Sequence, residues 1–395
     1  MKLRCIYKRC TAVFIFFTFL LTGYLYTYKN IELNESIDKQ IAHLKSKDIK
    51  YILQWTSKIK PPFYFMGENN TAFTENKCKF TNCYVTDDRN YFIDQSDFDV
   101  IAFNGKDLLD MRSSEMPTQR SFKQKYVFGA MESADNFPLC DQYLDGFFNW
   151  TWTYRLDSDI RWGYINIFDN SKTKVGPRIG MKWPAKMRPV NKKLKNKLSN
   201  KTKAVAWFVS HCETKSKRET FANKLQEQLQ RYGLTVDIYG SCGKMDCPRR
   251  DFRKCSKLIE DHYHFYLSFE NSFAEDYVTE KLLNALNNYA VPIVYGGADY
   301  SRYLPNNSYL DALKLGPNKL AMEIINIIQN KTRYYEFFRW RSHFVYKKAE
   351  RLDVCNLCEW LNNGDKTSEV TVWSHFRTWW NGARYKENCA GFTNY

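Results

Sequence analysis

The sequence contains no glycine-rich phosphate loop and no serine, histidine and aspartate pattern of a nucleophilic hydrolase, so neither a loop-cradled triphosphate nor a triad mechanism has a foothold in it. Its six histidines, His43, His211, His262, His264, His343 and His375, lack zinc-protease spacing. Cys242, Cys247 and Cys255 do not match a zinc-ligand pattern, which leaves disulfides as the default. No internal repeat is visible, and this excludes a solenoid. Acidic residues are missing from the first ten positions, and charge of either sign is missing from Ala12 to Tyr28.

Those last two absences organise the N-terminus. Lys2, Arg4, Lys8 and Arg9 precede an uncharged apolar run, the pattern of a membrane anchor with a basic cytoplasmic side. The competing reading is a cleaved signal peptide, which suits the shortness of the run. No small-x-small cleavage site follows Leu21, and Tyr24, Tyr26 and Tyr28 mark a membrane interface, so an uncleaved anchor is preferred. The expectation is a type II topology: cytoplasmic tail 1–10, signal-anchor 11–28, polar stem 29–50, and the remainder in the lumen. Six N-x-S/T sequons begin at Asn34, Asn69, Asn149, Asn200, Asn306 and Asn330, and ten of the 12 cysteines lie beyond the anchor, both consistent with an oxidising secretory compartment.

With 395 residues, 44% of them hydrophobic and 17% aromatic, the chain can bury two ordinary cores. Of the net charge of +16, four positive charges sit in the cytoplasmic tail, leaving +12 for the rest. A lumenal location excludes nucleic acid, so a nucleotide diphosphate, acidic glycans or a negative membrane surface remain as partners. Much of the surplus lies in Lys182 to Lys203, read as a solvated linker. The first folded domain is expected at 51–190, a second at 191–354, and a cysteine-containing tail at 355–395 that folds back. Apolar strands are expected at 98–103, 125–131, 203–210 and 235–239, with helices at 216–232, 321–329 and 334–343. Their alternation predicts an α/β fold with parallel sheets. Glu132 falls just past a strand's carboxyl end, where open α/β sheets bind ligands.

Phe265 to Gly297 carries the most information. An aromatic strand ending at Phe269 gives way to Glu270, Asn271, Ser272, Glu275 and Asp276; a helix with Thr279, Glu280 and Lys281 at its start follows, then a strand from Val291 to Tyr295. Backbone N–H groups at such a helix start can meet a diphosphate, with Lys281 adding charge and Glu280 suited to a diol. A plain βαβ unit with solvated charges remains the alternative.

The segments Phe269 to Ser272, Tyr277 to Leu282 and Val291 to Val294 resemble the donor-binding signature of the α-1,3-fucosyltransferases. Further matches follow in family order at 131–133, 148–159, 207–210, 236–240 and 338–341. The resemblance implies a GT-B arrangement of two Rossmann-like domains facing a cleft, in a Golgi membrane protein. It implies inverting transfer of L-fucose from GDP-fucose to N-acetylglucosamine of a glycoprotein glycan. The helix after the signature is closer to the invertebrate and core-type branch, which points to N-glycans.

By the same resemblance Glu132 is the catalytic base, Arg218 a diphosphate contact, and Asn271, Tyr277, Glu280 and Lys281 donor contacts. No tightly bound cofactor is implied and no divalent metal is required, with stimulation by one left open. Ala134 stands where the family usually has proline, a departure next to the base. Asp157-Ser158-Asp159 and Asp97-Phe98-Asp99 have the form of a metal-binding triplet, but a structural or acceptor-side role is preferred for the first. Cys78 and Cys83 are implied to pair with Cys355 and Cys358, and a redox role for the Cys355, Cys358 spacing is set aside. Another sugar-nucleotide donor, or a glycan-binding member without catalysis, stay open as alternatives.

Overall fold

The computed structural model describes residues 18, 21–30, 48–248, 251–349 and 352–391. The expected cytoplasmic tail, half of the expected anchor, most of the expected stem, and Asn34 lie outside them. Among the described residues no helix is long and apolar enough to cross a membrane.

Nearly uninterrupted apolar runs make strands that are buried on both faces, and parallel sheets follow. β1 (Lys50–Gln54), β2 (Cys83–Thr86), β3 (Val100–Asn104), β4 (Lys125–Ala130), β5 (Trp150–Thr153) and β6 (Ile160–Arg161) form one sheet in the order β2-β1-β3-β4-β5-β6. All its pairs are parallel. β7 (Ile165–Asp169) and β8 (Lys174–Gly176) leave it as an antiparallel pair. β9 (Lys203–Phe208), β10 (Val236–Tyr239), β11 (Tyr263–Phe269), β12 (Val291–Tyr295) and β13 (Leu310–Asp311) build a second parallel sheet in the order β10-β9-β11-β12-β13. β14 (Phe344–Lys348) then returns to pair with β7.

In each sheet the order reverses beside the first strand, at β1/β3 and at β9/β11. Loops there diverge to opposite faces and leave a crevice at the carboxyl edge. The second sheet has regular covering helices. Two of them, Arg218–Gln230 and Ala312–Gln329, bury Leu225, Leu229, Leu320 and Ile324 in one core with Val205, Leu267, Phe269 and Ile293.

The first sheet has mostly short turns and 3-10 segments between its strands, so its faces are covered from elsewhere. Phe376 and Trp380 pack on one face beside Phe128 and Phe148, and Val354, Leu357 and Leu361 pack on the other beside Ile52 and Trp152. Three disulfides hold this C-terminal segment to the first sheet: Cys78–Cys355, Cys83–Cys358 and Cys140–Cys389. The implied clamp is therefore present, and Cys355 and Cys358 are not joined to each other. Cys212–Cys242 and Cys247–Cys255 complete the five.

Three expectations need correction. The stretch read as a linker contains the helix Lys192–Ser199, capped by the Asn191 side chain on Leu194 N at 2.9 Å, with Leu198 buried in the second core. The helix expected at 334–343 is instead Lys331–Glu336 followed by a 3-10 turn, Arg339–Ser342. The Asn149 side chain, expected at the surface as a glycan acceptor, is packed inside this fold. It is 6% exposed; its Oδ1 accepts from Tyr126 N at 2.8 Å and its Nδ2 donates to Thr371 O at 2.8 Å. Asn69, Asn200, Asn306 and Asn330 are exposed.

Glycopeptide mapping should accordingly find Asn149 unmodified in folded protein; a glycan there would contradict the packing. Because Cys78–Cys355 and Cys83–Cys358 close nearly the same loop, removing either leaves only a short loop open and should cost about 2–3 kcal/mol. Removing both should cost more than the sum in non-reducing urea titrations, and simple additivity would contradict the shared-loop account.

Candidate active site between the two sheets

The loop after β11 crosses to the first sheet. Ser272 Oγ lies 2.5 Å from Ser133 Oγ, both fully buried, and Phe273 N donates to Asp135 Oδ2 at 3.0 Å. Leu156 N donates to Asp276 Oδ2 at 3.1 Å, and the Arg155 guanidinium reaches Glu275 at 3.2 Å while gripping Asp157 through two bonds of 2.9 Å. Between the sheets remains a cavity of about 320 Å³.

Its second-sheet wall is built on a buried ion pair. Glu270 follows β11 directly and is 1% exposed. Its Oε1 accepts from Thr279 N at 2.9 Å, and its Oε2 accepts from Lys281 Nζ at 3.0 Å. Lys281 Nζ also donates to Thr279 Oγ1 at 2.8 Å and lies 3.6 Å from Glu280 Oε1. Burial opposes the Lys281 charge, but the Glu270 and Glu280 carboxylates outweigh it and hold the ammonium above the ordinary lysine value. Burial pushes the Glu270 carboxyl up, against the pull of Lys281 and Thr279. Thr279 caps the helix Glu280–Asn287, so its first turn, Lys281 and Asn271 meet at the cavity.

Glu132 forms the opposite wall, exposed just past β4. Its Oε2 accepts from Tyr277 Oη at 3.3 Å. Burial raises the Tyr277 and Tyr164 phenols well above their ordinary values, so both stay protonated donors at neutral pH. Tyr164 donates to Met131 O, and Tyr277 packs edge-on against Tyr154 and Tyr164. The loop after β1 adds Lys60, and the carboxyl end of β3 and the turn after it add Asn104 and Lys106. Asn104 Nδ2 ties the Lys60–Pro61 backbone to β3 through bonds of 3.3 and 3.0 Å, and Lys60 pairs with Asp107. The arrangement can take a proton on one side and hold an anion on the other. Among the described residues no cluster of His, Cys, Asp or Glu could hold a metal ion.

Residues 198–379 match the family described as glycosyltransferase family 10 (fucosyltransferase) C-term, and residues 47–165 match fucosyltransferase, N-terminal. The chain belongs to glycosyltransferase family 10, the fucosyltransferases. Alpha-(1,3)-fucosyltransferase C of Drosophila melanogaster is 36% identical over 352 residues, covering 86% of this chain and 80% of that protein. Alpha-(1,3)-fucosyltransferase fut-1 of Caenorhabditis elegans is 42% identical over 174 residues, 41% of this chain and 39% of that one. An alpha1,3-fucosyltransferase crystal structure with GDP-fucose matches 74% of this chain and 83% of its own at 14% identity and a TM-score of 0.44.

Of the residues singled out in this fucosyltransferase-family sequence, Glu132, Asn271, Tyr277, Glu280 and Lys281 line the cavity together. Arg218 does not. It is 4% exposed, so it is no surface arginine, but its terminal nitrogens donate to Phe269 O at 2.7 Å and His211 O at 3.2 Å. The fork expected to grip a phosphate is thus held by backbone. The aspartates of the triplet are also engaged: Asp157 by Arg155 and Trp379, and Asp159 Oδ2 by Thr151 and Trp373.

Sequence reasoning missed Glu270 as the holder of Lys281, and Lys106 and Asn104, which the strand-end rule that found Glu132 would have found after β3. Trp380, which also lines the cavity, gave no local signal, because it arrives from the far end of the chain. Lys281→Met should destabilise by about 3 kcal/mol in urea titration, since it leaves the Glu270 charge buried without its cation. The double variant with Glu270→Gln should cost less than the two singles together; additivity would mean that the pair is not coupled.

Proposed function

We propose that the protein is an α-1,3-fucosyltransferase that moves L-fucose from GDP-β-L-fucose to a hydroxyl of N-acetylglucosamine in a glycoprotein glycan, with inversion. The observation that carries this is the convergence of Glu132 and Lys281 from two sheets on one cavity, in a chain of the fucosyltransferase family. The names of its Drosophila and Caenorhabditis relatives support the transferred sugar and the linkage class. In this reading the two sheets form a GT-B pair, the first facing acceptor and the second facing donor. Its setting is a Golgi membrane, with residues 11–28 as the anchor of a type II protein and an N-glycan as acceptor.

The chemistry follows from the two walls. The Glu132 carboxylate takes the acceptor hydroxyl proton as that oxygen bonds to the anomeric carbon, while the bond from this carbon to the diphosphate oxygen breaks. The leaving GDP takes the electron pair and meets Lys281 and the helix start at Glu280. Tyr277, donating to Glu132, orients the carboxylate and leaves its other oxygen for the proton. The side-chain cation and helix start supply the charge that a divalent metal supplies elsewhere.

Glu132→Gln keeps shape but cannot accept the proton, so kcat should fall by about 10² to 10⁴ while the GDP dissociation constant stays within about twofold. Retention of more than about a tenth of wild-type kcat would reassign the base. A panel of sugar nucleotides with the wild type should give turnover with GDP-fucose, both with and without EDTA; turnover with a different donor alone would overturn the proposal.

A further inference from the structure

A second depression, of about 390 Å³, lies at the amino ends of β5 and β6. Its wall at Trp150 is in register with Val127, five residues before Glu132, which places it on the order of 15 Å from the catalytic cavity. Four indoles line it: Trp150 at the start of β5, and Trp360, Trp373 and Trp379 from the C-terminal segment. Trp150 and Trp360 meet edge to face at 6.3 Å, and Trp373 and Trp379 lie 4.4 Å apart. Polar groups are set among them. Asp159 Oδ2 is occupied by Thr151 and Trp373, while its Oδ1 has no partner among the described residues. The Trp360 indole N–H has no partner but is itself buried and so is closed to a ligand, and His375 is exposed at the rim.

The charges here do not follow the basic chain. Lys366 lies 3.4 Å from Glu369 and 5.1 Å over the Trp360 ring, Lys125 Nζ stands 5.7 Å over the Trp150 ring, and Asp159 and Glu369 set two carboxylates against these two cations, so no positive surplus exists to hold a phosphate, sulfate or uronate. Indole faces carry negative quadrupole density, which favours the weakly positive C–H face of a pyranose, and carboxylate and imidazole groups suit its hydroxyls. The volume falls in the range of small-ligand sites.

We propose that this depression is a saccharide-binding site for a neutral pyranose residue of a glycan, separate from the cavity between the sheets. It would hold a branch of a glycan or a neighbouring glycan on the same protein and raise the local concentration of acceptor. Saccharide binding here does not depend on the reading of the cavity between the sheets, whereas its effect on acceptor concentration rests on that reading.

The test is saturation-transfer NMR and titration of the full chain with methyl glycosides of mannose, galactose, glucose and N-acetylglucosamine, and with glucuronic acid, all at saturating GDP. Transfer to at least one neutral glycoside should persist with GDP present. Trp360→Ala should weaken it about tenfold and His375→Ala measurably, with GDP affinity unchanged as the control for folding. Trp373→Phe, a milder change, should also weaken it and covers the case in which Trp360→Ala does not fold. No transfer to any neutral glycoside, loss of transfer on adding GDP, preference for glucuronic acid, or indifference to every folded variant would each overturn the proposal.

Discussion

The loop from Asn271 to Tyr277 makes the site possible by docking on the first sheet through Ser133, Asp135, Arg155 and Leu156. Ser133 and Asp135 follow Glu132 closely in the chain, and their partners Ser272 and Phe273 follow Asn271 directly. The Glu132 wall and the Lys281 wall are therefore placed by the same hydrogen bonds. The Ser133 and Ser272 hydroxyls are fully buried, and a buried hydroxyl without its partner costs more than the bond itself contributes. The spacing between the walls is in this way tied to packing that leaves little room for adjustment.

Charge follows a different logic at the site than over the chain. The overall surplus of +16 describes the surface and its attraction to anions. At the cavity each of Lys60 and Lys281 has an acidic partner, Asp107 and Glu270. Lys281 is presented by a buried carboxylate and a threonine, which fix its ammonium in place before any ligand arrives. A fixed charge loses less entropy on binding than a mobile surface lysine does.

The C-terminal segment has a larger part than its length suggests. Among the described residues the crossovers of the first sheet hold one short α-helix, Thr71–Glu75, and Phe376, Trp380, Leu357 and Leu361 supply much of the cover its two faces need. The disulfides to Cys78, Cys83 and Cys140 make that cover permanent. The same segment brings Trp380 to the cavity between the sheets and three indoles to the second depression.

Local features were legible in the chain without its fold. Apolar runs marked β4, β9, β11 and β12 within a residue or two, because a strand buried on both faces needs continuous apolar residues. The polar break at Glu270 and the Thr279 cap marked the strand end and helix start, and with the family resemblance they brought Glu132, Asn271, Tyr277, Glu280 and Lys281 into one site. Tertiary structure alone decided what each polar group faces. Arg218 meets backbone carbonyls, Asn149 is sealed beneath Thr371, and residues 192–199 are helical because Leu198 finds a core. Such outcomes depend on partners tens to hundreds of residues away, which no local pattern encodes.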